Sequence, residues 1–182
     1  MKSIPRLFLI IGGKRSGKDT VANYLAKSLS GTRLSIAYPL KKLVCDQFKI
    51  DMLKLEALKE NESKIVAEGR SMRQILQNTG QSLKKVFGDE DIHCKCIEKQ
   101  FSDSKVVIIT DVRLKHEHDY FVSRYCDVTR IKIGTNKNQK DSHRTEQEWN
   151  EIEHDVFIYN EFIGINYLLE KVRRLVLDKI NF

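Results

Sequence analysis

Leu7-Phe8-Leu9-Ile10-Ile11 runs directly into Gly12-Gly13-Lys14-Arg15-Ser16-Gly17-Lys18-Asp19-Thr20. The reading of this junction decides the fold. The five apolar residues have the composition and length of a buried strand. After the junction, Val21, Ala22, Leu25 and Leu29 return at helical spacing. The stretch between is therefore a glycine-rich turn from a strand into a helix N-terminus. Gly12 and Gly17 let the backbone turn tightly and bring its N–H groups close to an anion. The helix start adds unpaired N–H groups and a partial positive charge. Lys18 adds a movable point charge suited to β and γ phosphates. Gly13, Lys14, Arg15, Ser16, Gly17, Lys18, Asp19 and Thr20 thus form a candidate nucleotide-phosphate loop of the Walker A type. One position departs from that pattern. Asp19 stands where a Ser or Thr hydroxyl normally holds Mg²⁺. An aspartate offers the same ion an anionic oxygen, directly or through water with Thr20 beside it.

The chain has 182 residues, which suits one domain (1–182) with a substantial core. A hydrophobic content of 41% and a charged content of 31% fit a soluble globular protein. No apolar run approaches the roughly 20 residues of a membrane span. The run ending at Ile11 is too short for a signal peptide and leads straight into the glycine loop, so a cytoplasmic location is expected. The net charge is +7, from 32 basic and 25 acidic residues. The basic residues are dispersed, which favours a cleft that gathers several phosphates over a nucleic-acid surface. Cys45, Cys94, Cys96 and Cys126 lack the spacing of a zinc site and are expected to be reduced.

Further along, Thr32–Ala37 reads as a second strand, and Pro39 is placed to open the next helix. Lys41 and Lys42 fall in its first turn, where the helix dipole disfavours cations. They are either plain surface charge or groups that await an anion. Met52, Leu55 and Leu58 suggest a short helix, and residues 64–70 read as an irregular or mobile connection. Ser71-Met72-Arg73-Gln74 has the form of a capping box. The helix that follows has Met72, Ile75, Leu76, Leu83, Val86 and Phe87 on one side and Arg73, Gln77, Gly80 and Lys84 in a polar stripe. A bare backbone at Gly80 would admit a ligand; a solvated face with an incidental glycine is the alternative. Asp91–Phe101 gives another helix, with Ile92, Cys96 and Ile97 apolar.

Val106-Val107-Ile108-Ile109 reads as a central strand followed by Thr110-Asp111-Val112-Arg113. Asp111 then lies just past its carboxyl end, where acids of nucleotide sites hold or orient Mg²⁺. Arg113 is a candidate fork for a phosphate. His116–Tyr125 is helical in pattern, and Asp127–Ile133 is a strand. Residues 134–144 are long and polar, as a closing lid would be, with Arg144 as its principal cation and Lys137, Lys140 and His143 beside it. A helix over Glu146–Glu151, a strand over Asp155–Tyr159 ending at Asn160, and a closing helix over Ile165–Ile180 complete the chain. Strands and helices alternate throughout, which implies an α/β fold: a mostly parallel five-stranded sheet with helices on both faces.

These elements together resemble the phage-type deoxynucleoside monophosphate kinases. The resemblance rests on the Gly12–Thr20 loop with its Asp19, on Tyr38-Pro39-Leu40-Lys41, on Met72-Arg73-Gln74-Ile75-Leu76-Gln77-Asn78-Thr79-Gly80, and on Asp111-Val112-Arg113. His143 with Glu146 resembles a lid segment, and Tyr159-Asn160 a nucleotide-side loop. The resemblance spans nearly the whole chain and implies a three-layer P-loop kinase fold, with a substrate part over about 38–100 and a lid over about 134–150. It implies ATP and Mg²⁺ as cofactors and a small-molecule partner, with no membrane or stable nucleic-acid partner; it also allows a homodimer. Lys18 and the loop would hold the donor phosphates. Asp19 and Asp111 would serve the metal. Arg73 and Arg113, with Lys41, Arg70, Gln77, Gly80 and His143, would form the acceptor side. Arg144 would close from the lid, and Asn160 would line the adenine pocket. A phage-type enzyme would work in the host cytoplasm. Animal phosphomevalonate kinases are similar in the same order and are the first alternative. A nucleic-acid-binding ATPase, or a nucleotide-binding module without activity, is the second.

Overall fold

The computed structural model describes residues 4–61, 63–101, 103–136 and 148–180. In chain order its elements are β1 (Arg6–Gly12), α1 (Lys18–Ser28), β2 (Thr32–Ser35), α2 (Tyr38–Phe48), α3 (Met52–Glu60), β3 (Ile65–Ala67), β4 (Arg70–Ser71), α4 (Met72–Phe87), α5 (Ile92–Glu98), β5 (Val106–Val112), α6 (Lys115–Val122), β6 (Val128–Gly134), β7 (Val156–Tyr159) and α7 (Ile165–Leu175). Short 3₁₀ turns lie at Glu148–Glu151 and Leu177–Lys179. The chain divides into two compact units, residues 1–36 with 99–182 and residues 37–98.

The first unit is built on a five-stranded sheet of order β2-β5-β1-β6-β7. Every neighbouring pair in it is parallel, as the alternating pattern predicts. Leu7 to Ile11 of the central strand are all fully buried, which explains their unbroken apolar run: both faces of a parallel strand must be covered. On one face Phe8, Ile10, Ile108, Ile131 and Ile133 pack with Val21, Ala22 and Leu25 of α1 and with Leu168 and Val172 of α7. Each such side chain contributes about 1.5–3 kcal/mol on burial. The residues of alternate register, Leu7, Leu9, Ile11, Val107 and Ile109, are equally buried. The Glu148–Glu151 turn packs against β1 and α6, and Phe101 stacks on Phe121 at 6.3 Å.

Several details differ from expectation, two of them at element ends in this unit. The closing helix stops at Leu175 rather than Ile180: Val176 caps it, with its N–H still bonded to Val172 O, and a 3₁₀ turn follows. The strand expected to end at Ile109 continues to Val112, with a break in register that places an extra residue of β5 opposite β1. No helix among the described residues is long and apolar enough to cross a membrane.

The second unit packs α2, α3 and α4 around Val44, Cys45, Leu55, Leu58, Met72 and Leu76. Pro39 sits in the first turn of α2, where its missing N–H costs nothing. Asp51 caps α3 by accepting from Lys54 N at 2.7 Å. At α4 both legs of the capping box form: Ser71 N donates to Gln74 Oε1 at 2.9 Å, and Gln74 N donates to Ser71 Oγ at 3.4 Å. Ser71→Ala should therefore lower the stability of the chain by about 1 kcal/mol in urea unfolding, with no change in m-value.

Residues 64–70 are not an irregular connection. β3 and β4 form a small antiparallel hairpin, and Glu68 and Gly69 turn it with φ of 45° and 74°. Two successive positive φ values are the geometry that lets a tight turn match the twist of its strands. The apolar side of α4 is also shorter than its sequence pattern. Met72 and Leu76 are buried, whereas Val86 and Phe87, the last two residues before the Gly88 cap, are 79% and 62% exposed. In α5 the buried cysteine is Cys94 rather than Cys96.

Candidate active site

The carboxyl edge of the five-stranded sheet carries the nucleotide loop. Gly17 is the N-cap of α1, held at φ 95°, and no side chain caps the helix. The first-turn N–H groups of a helix point out of its N-terminus, the direction from which an anion is bound. Lys18 is 5% exposed, and its Nζ donates to Gly13 O at 3.3 Å. Inside the turn Ser16 is fully buried, and its Oγ has no hydrogen-bond partner among the described residues. A buried hydroxyl without a partner costs about 1–3 kcal/mol unless a ligand supplies one. Lys14 and Arg15 lie on the outer side of the turn, less buried than Ser16.

β5 delivers the acid that faces this loop. Asp111 sits at the break in register, with φ 65°. That is a costly conformation for a non-glycine residue, of the kind that re-aims a side chain next to a site. Its Oδ1 lies 3.9 Å from Lys18 Nζ and 3.7 Å from Arg113 Nη2. Its Oδ2 accepts from Ser35 Oγ at 2.7 Å. Glu117, itself buried, accepts from Arg113 N and Leu114 N at 2.9 and 3.1 Å and fixes the backbone from which Arg113 departs. The structure thus brings Lys18, Asp111 and Arg113 together. Sequence reading missed Ser35 and Glu117. The available signal for Ser35 was its place at the carboxyl end of β2, the edge at which ligands of parallel sheets collect.

Asp19 has a different setting. It is an acid in the first turn of α1, favourable with the helix dipole, and its carboxylate is paired with Arg33 Nη2. Arg33 Nη1 donates to Asn23 Oδ1 at 2.7 Å. Among the described residues no three His, Cys, Asp or Glu side chains converge as a metal site. Mg²⁺ carried on nucleotide phosphates needs only one or two protein carboxylates, and Asp111 at the mouth of the loop fits that requirement.

The unit of residues 37–98 holds the other predicted cations. Lys41 Nζ lies 2.8 Å from Glu56 Oε1, and Lys59 pairs with the other oxygen. Burial pushes the Glu56 carboxyl up, but the hydrogen bonds and charges of Lys41 and Lys59 outweigh it and hold the group below its usual range. The anion beside Lys41 is therefore a side chain of the same unit. Arg73 is largely shielded on α4, with Nη2 3.9 Å from Glu60 Oε1. Gln77 is half-buried and Gly80 is buried, so the polar stripe of α4 is not a solvated face. A Cβ at Gly80 would meet Leu40 Cδ2 at 3.2 Å and His93 Nε2 at 3.6 Å, which gives the bare backbone a packing reason inside the unit. Arg70 is exposed on β4.

Asn160, just past β7, is 6% exposed, and its Nδ2 donates to Ser16 O at 3.0 Å. It meets the nucleotide loop at the backbone of that turn. Arg144 and His143, with Lys137, Lys140 and Glu146, lie outside the described residues.

Comparison with known proteins agrees with this geometry. A profile of the family described as deoxynucleotide monophosphate kinase matches residues 6–69 and 46–172. No curated protein matches the chain. Among solved structures, TT1252 from Thermus thermophilus superposes with a TM-score of 0.53 at 17% identity, over 99% of this chain and 100% of that one, a likeness of fold alone. A shikimate kinase from Aquifex aeolicus (TM-score 0.45, 13% identity, 91% and 92% covered) and a dephospho-CoA kinase from Campylobacter jejuni (0.42, 20%, 92% and 95%) are fainter likenesses on which nothing further rests. With the profile covering most of its length, and with a Walker-type loop whose lysine faces a strand-borne aspartate, the chain belongs to the deoxynucleotide monophosphate kinase family and is a phosphotransferase that uses ATP.

Proposed function

We propose that the chain transfers the γ-phosphoryl group of ATP to a deoxynucleoside monophosphate, giving ADP and the deoxynucleoside diphosphate, a step in dNTP supply. The observation that carries this reading is the convergence of buried Lys18, strained Asp111 and Arg113 at the nucleotide loop of a chain in this family. Lys18 and the N–H groups of residues 13–20 bind and orient the donor phosphates. Asp111, steadied by Ser35, is the residue that would hold or orient Mg²⁺, with Asp19 as a second carboxylate once it leaves Arg33. When bound, Mg²⁺ neutralises charge on the donor phosphates. Arg113 faces the transferring group and offsets its developing charge.

Residues 37–98 form the acceptor part in this reading, with Arg73 as the fork for the acceptor phosphate and Lys41, Arg70, Gln77 and Gly80 around it. The attacking atom is a phosphate oxygen that is already ionised at neutral pH, so no strong general base is required, and the protein's task is positioning and charge neutralisation. Arg144 and His143 would be delivered by the 134–150 segment as it closes.

An ADP-release assay over dTMP, dGMP, dCMP, dAMP, their ribo counterparts and phosphomevalonate tests the acceptor. At least one deoxynucleoside monophosphate should be turned over well above the ATPase background. Turnover of phosphomevalonate alone would replace this reading with the alternative, and tight DNA binding with no turnover of any acceptor would favour a nucleic-acid ATPase.

A further inference from the structure

Asn160 is a buried polar residue held by both its backbone and its side chain. Its backbone N–H donates to Gly134 O at 2.9 Å, tying it to the end of β6. Its Oδ1 accepts from Phe162 N at 3.0 Å, and its Nδ2 donates to Ser16 O at 3.0 Å. Asn160 is 6% exposed and its bond to Ser16 O is buried, where a hydrogen bond is worth more than at the surface. Gly17 lies directly against it: a Cβ there would stand 2.7 Å from Asn160 Nδ2.

The geometry points to Asn160 as a positioning residue that sets the orientation of the Ser16–Gly17 peptide in the nucleotide loop. A peptide unit is planar, and this one is trans, so its C=O and N–H point in opposite directions. Holding the Ser16 carbonyl on the Asn160 side turns the Gly17 N–H to the other side of the turn. Gly17, at φ 95°, is the residue that allows this arrangement at the start of α1. Without the amide donor the peptide is free to flip. A flipped peptide would present a carbonyl oxygen, in place of an N–H, to an incoming phosphate. The role extends the nucleotide-loop assignment above and does not depend on which acceptor is used.

Asn160→Asp tests it, because the carboxylate keeps the size and the Phe162 contact but cannot donate to Ser16 while ionised. At pH 8, ATP and ADP affinity, read by equilibrium titration with a fluorescent nucleotide analogue, should fall about 10- to 100-fold, with acceptor KM within about twofold of wild type. Lowering the pH protonates the buried carboxyl, restores a donor to Ser16 O, and should recover much of the lost affinity. Asn160→Ala should lose nucleotide affinity similarly and show no such recovery. Unchanged nucleotide affinity in both variants would overturn the inference. So would an equal loss of ATP and acceptor binding, or a loss of folded protein with both affinities intact in what remains. If wild type bound ATP normally but phosphorylated no monophosphate, the proposed acceptor would fail while the titrations still judged Asn160.

Discussion

Lys18→Ala should lower phosphoryl transfer by about 100- to 1,000-fold at saturating acceptor, with the fold retained. The size of the effect follows from the setting of the side chain. Lys18 is nearly buried at the first position of α1, and its ammonium lies between Gly13 O and Asp111 Oδ1. A cation held there has little reorganisation left to do when phosphates arrive, which is where preorganised charge acts most strongly. Alanine is a good helix former at that position, so the melting temperature should change little. The same truncation removes one cation from beside Asp111, which keeps Arg113 at 3.7 Å, so the local charge balance shifts toward negative where anionic substrate must bind. ADP release and circular dichroism on the same preparation separate the two effects. Near-wild-type transfer in a folded Lys18→Ala protein would remove the donor-site assignment.

Arg73→Ala should act on the acceptor alone. A guanidinium that forks onto a phosphate contributes about 2–3 kcal/mol, so kcat/KM for the monophosphate should fall roughly 30- to 150-fold while the Kd for ATP moves less than about twofold. Arg73→Lys should recover only part of the loss, because an ammonium keeps the charge and gives up the fork. Arg73 already stands near Glu60, 3.9 Å away on α3. If its role were confined to that contact, Arg73→Ala would lower stability and leave both substrate constants alone. Equal loss of ATP and acceptor affinity would also refute an acceptor role. Reading initial rates against each substrate in turn, with a thermal melt alongside, distinguishes the three results.

The sequence was most legible where structure is decided locally. The Leu7–Ile11 run, the glycine turn and the Val21–Leu29 periodicity lie within one stretch, and the capping box of Ser71 and Gln74 joins residues three apart. Those features appear in the structure as read. The five-stranded parallel sheet followed from alternation of elements, because few topologies accommodate that pattern.

What was not legible depends on partners distant in the chain. Asp111 owes its aim to a register break against β1 and to Ser35, which is 76 residues earlier. Asn160 and Ser16 are 144 residues apart. The conflict of Lys41 with its helix dipole is resolved by Glu56, a residue whose sequence context gives no sign of facing α2. Asp19 read as a metal ligand alone, and its pairing with Arg33 could not be anticipated from an isolated arginine in a short strand. The Glu68-Gly69 hairpin escaped notice because its strands span only three and two residues, too few to show period-two alternation. Val86 and Phe87 continue the apolar face of α4 in sequence, yet the core they would join lies nearer the start of the helix.

The central claim is transfer of a phosphoryl group from ATP to a deoxynucleoside monophosphate. The most direct measurement incubates the protein with γ-labelled ATP and each deoxynucleoside monophosphate in turn, then separates the products by anion-exchange chromatography. Label should appear in a deoxynucleoside diphosphate, in equal amount to the ADP formed, and Lys18→Ala should abolish nearly all of it. Label found only in inorganic phosphate, or in no nucleotide product with any monophosphate, would contradict the account.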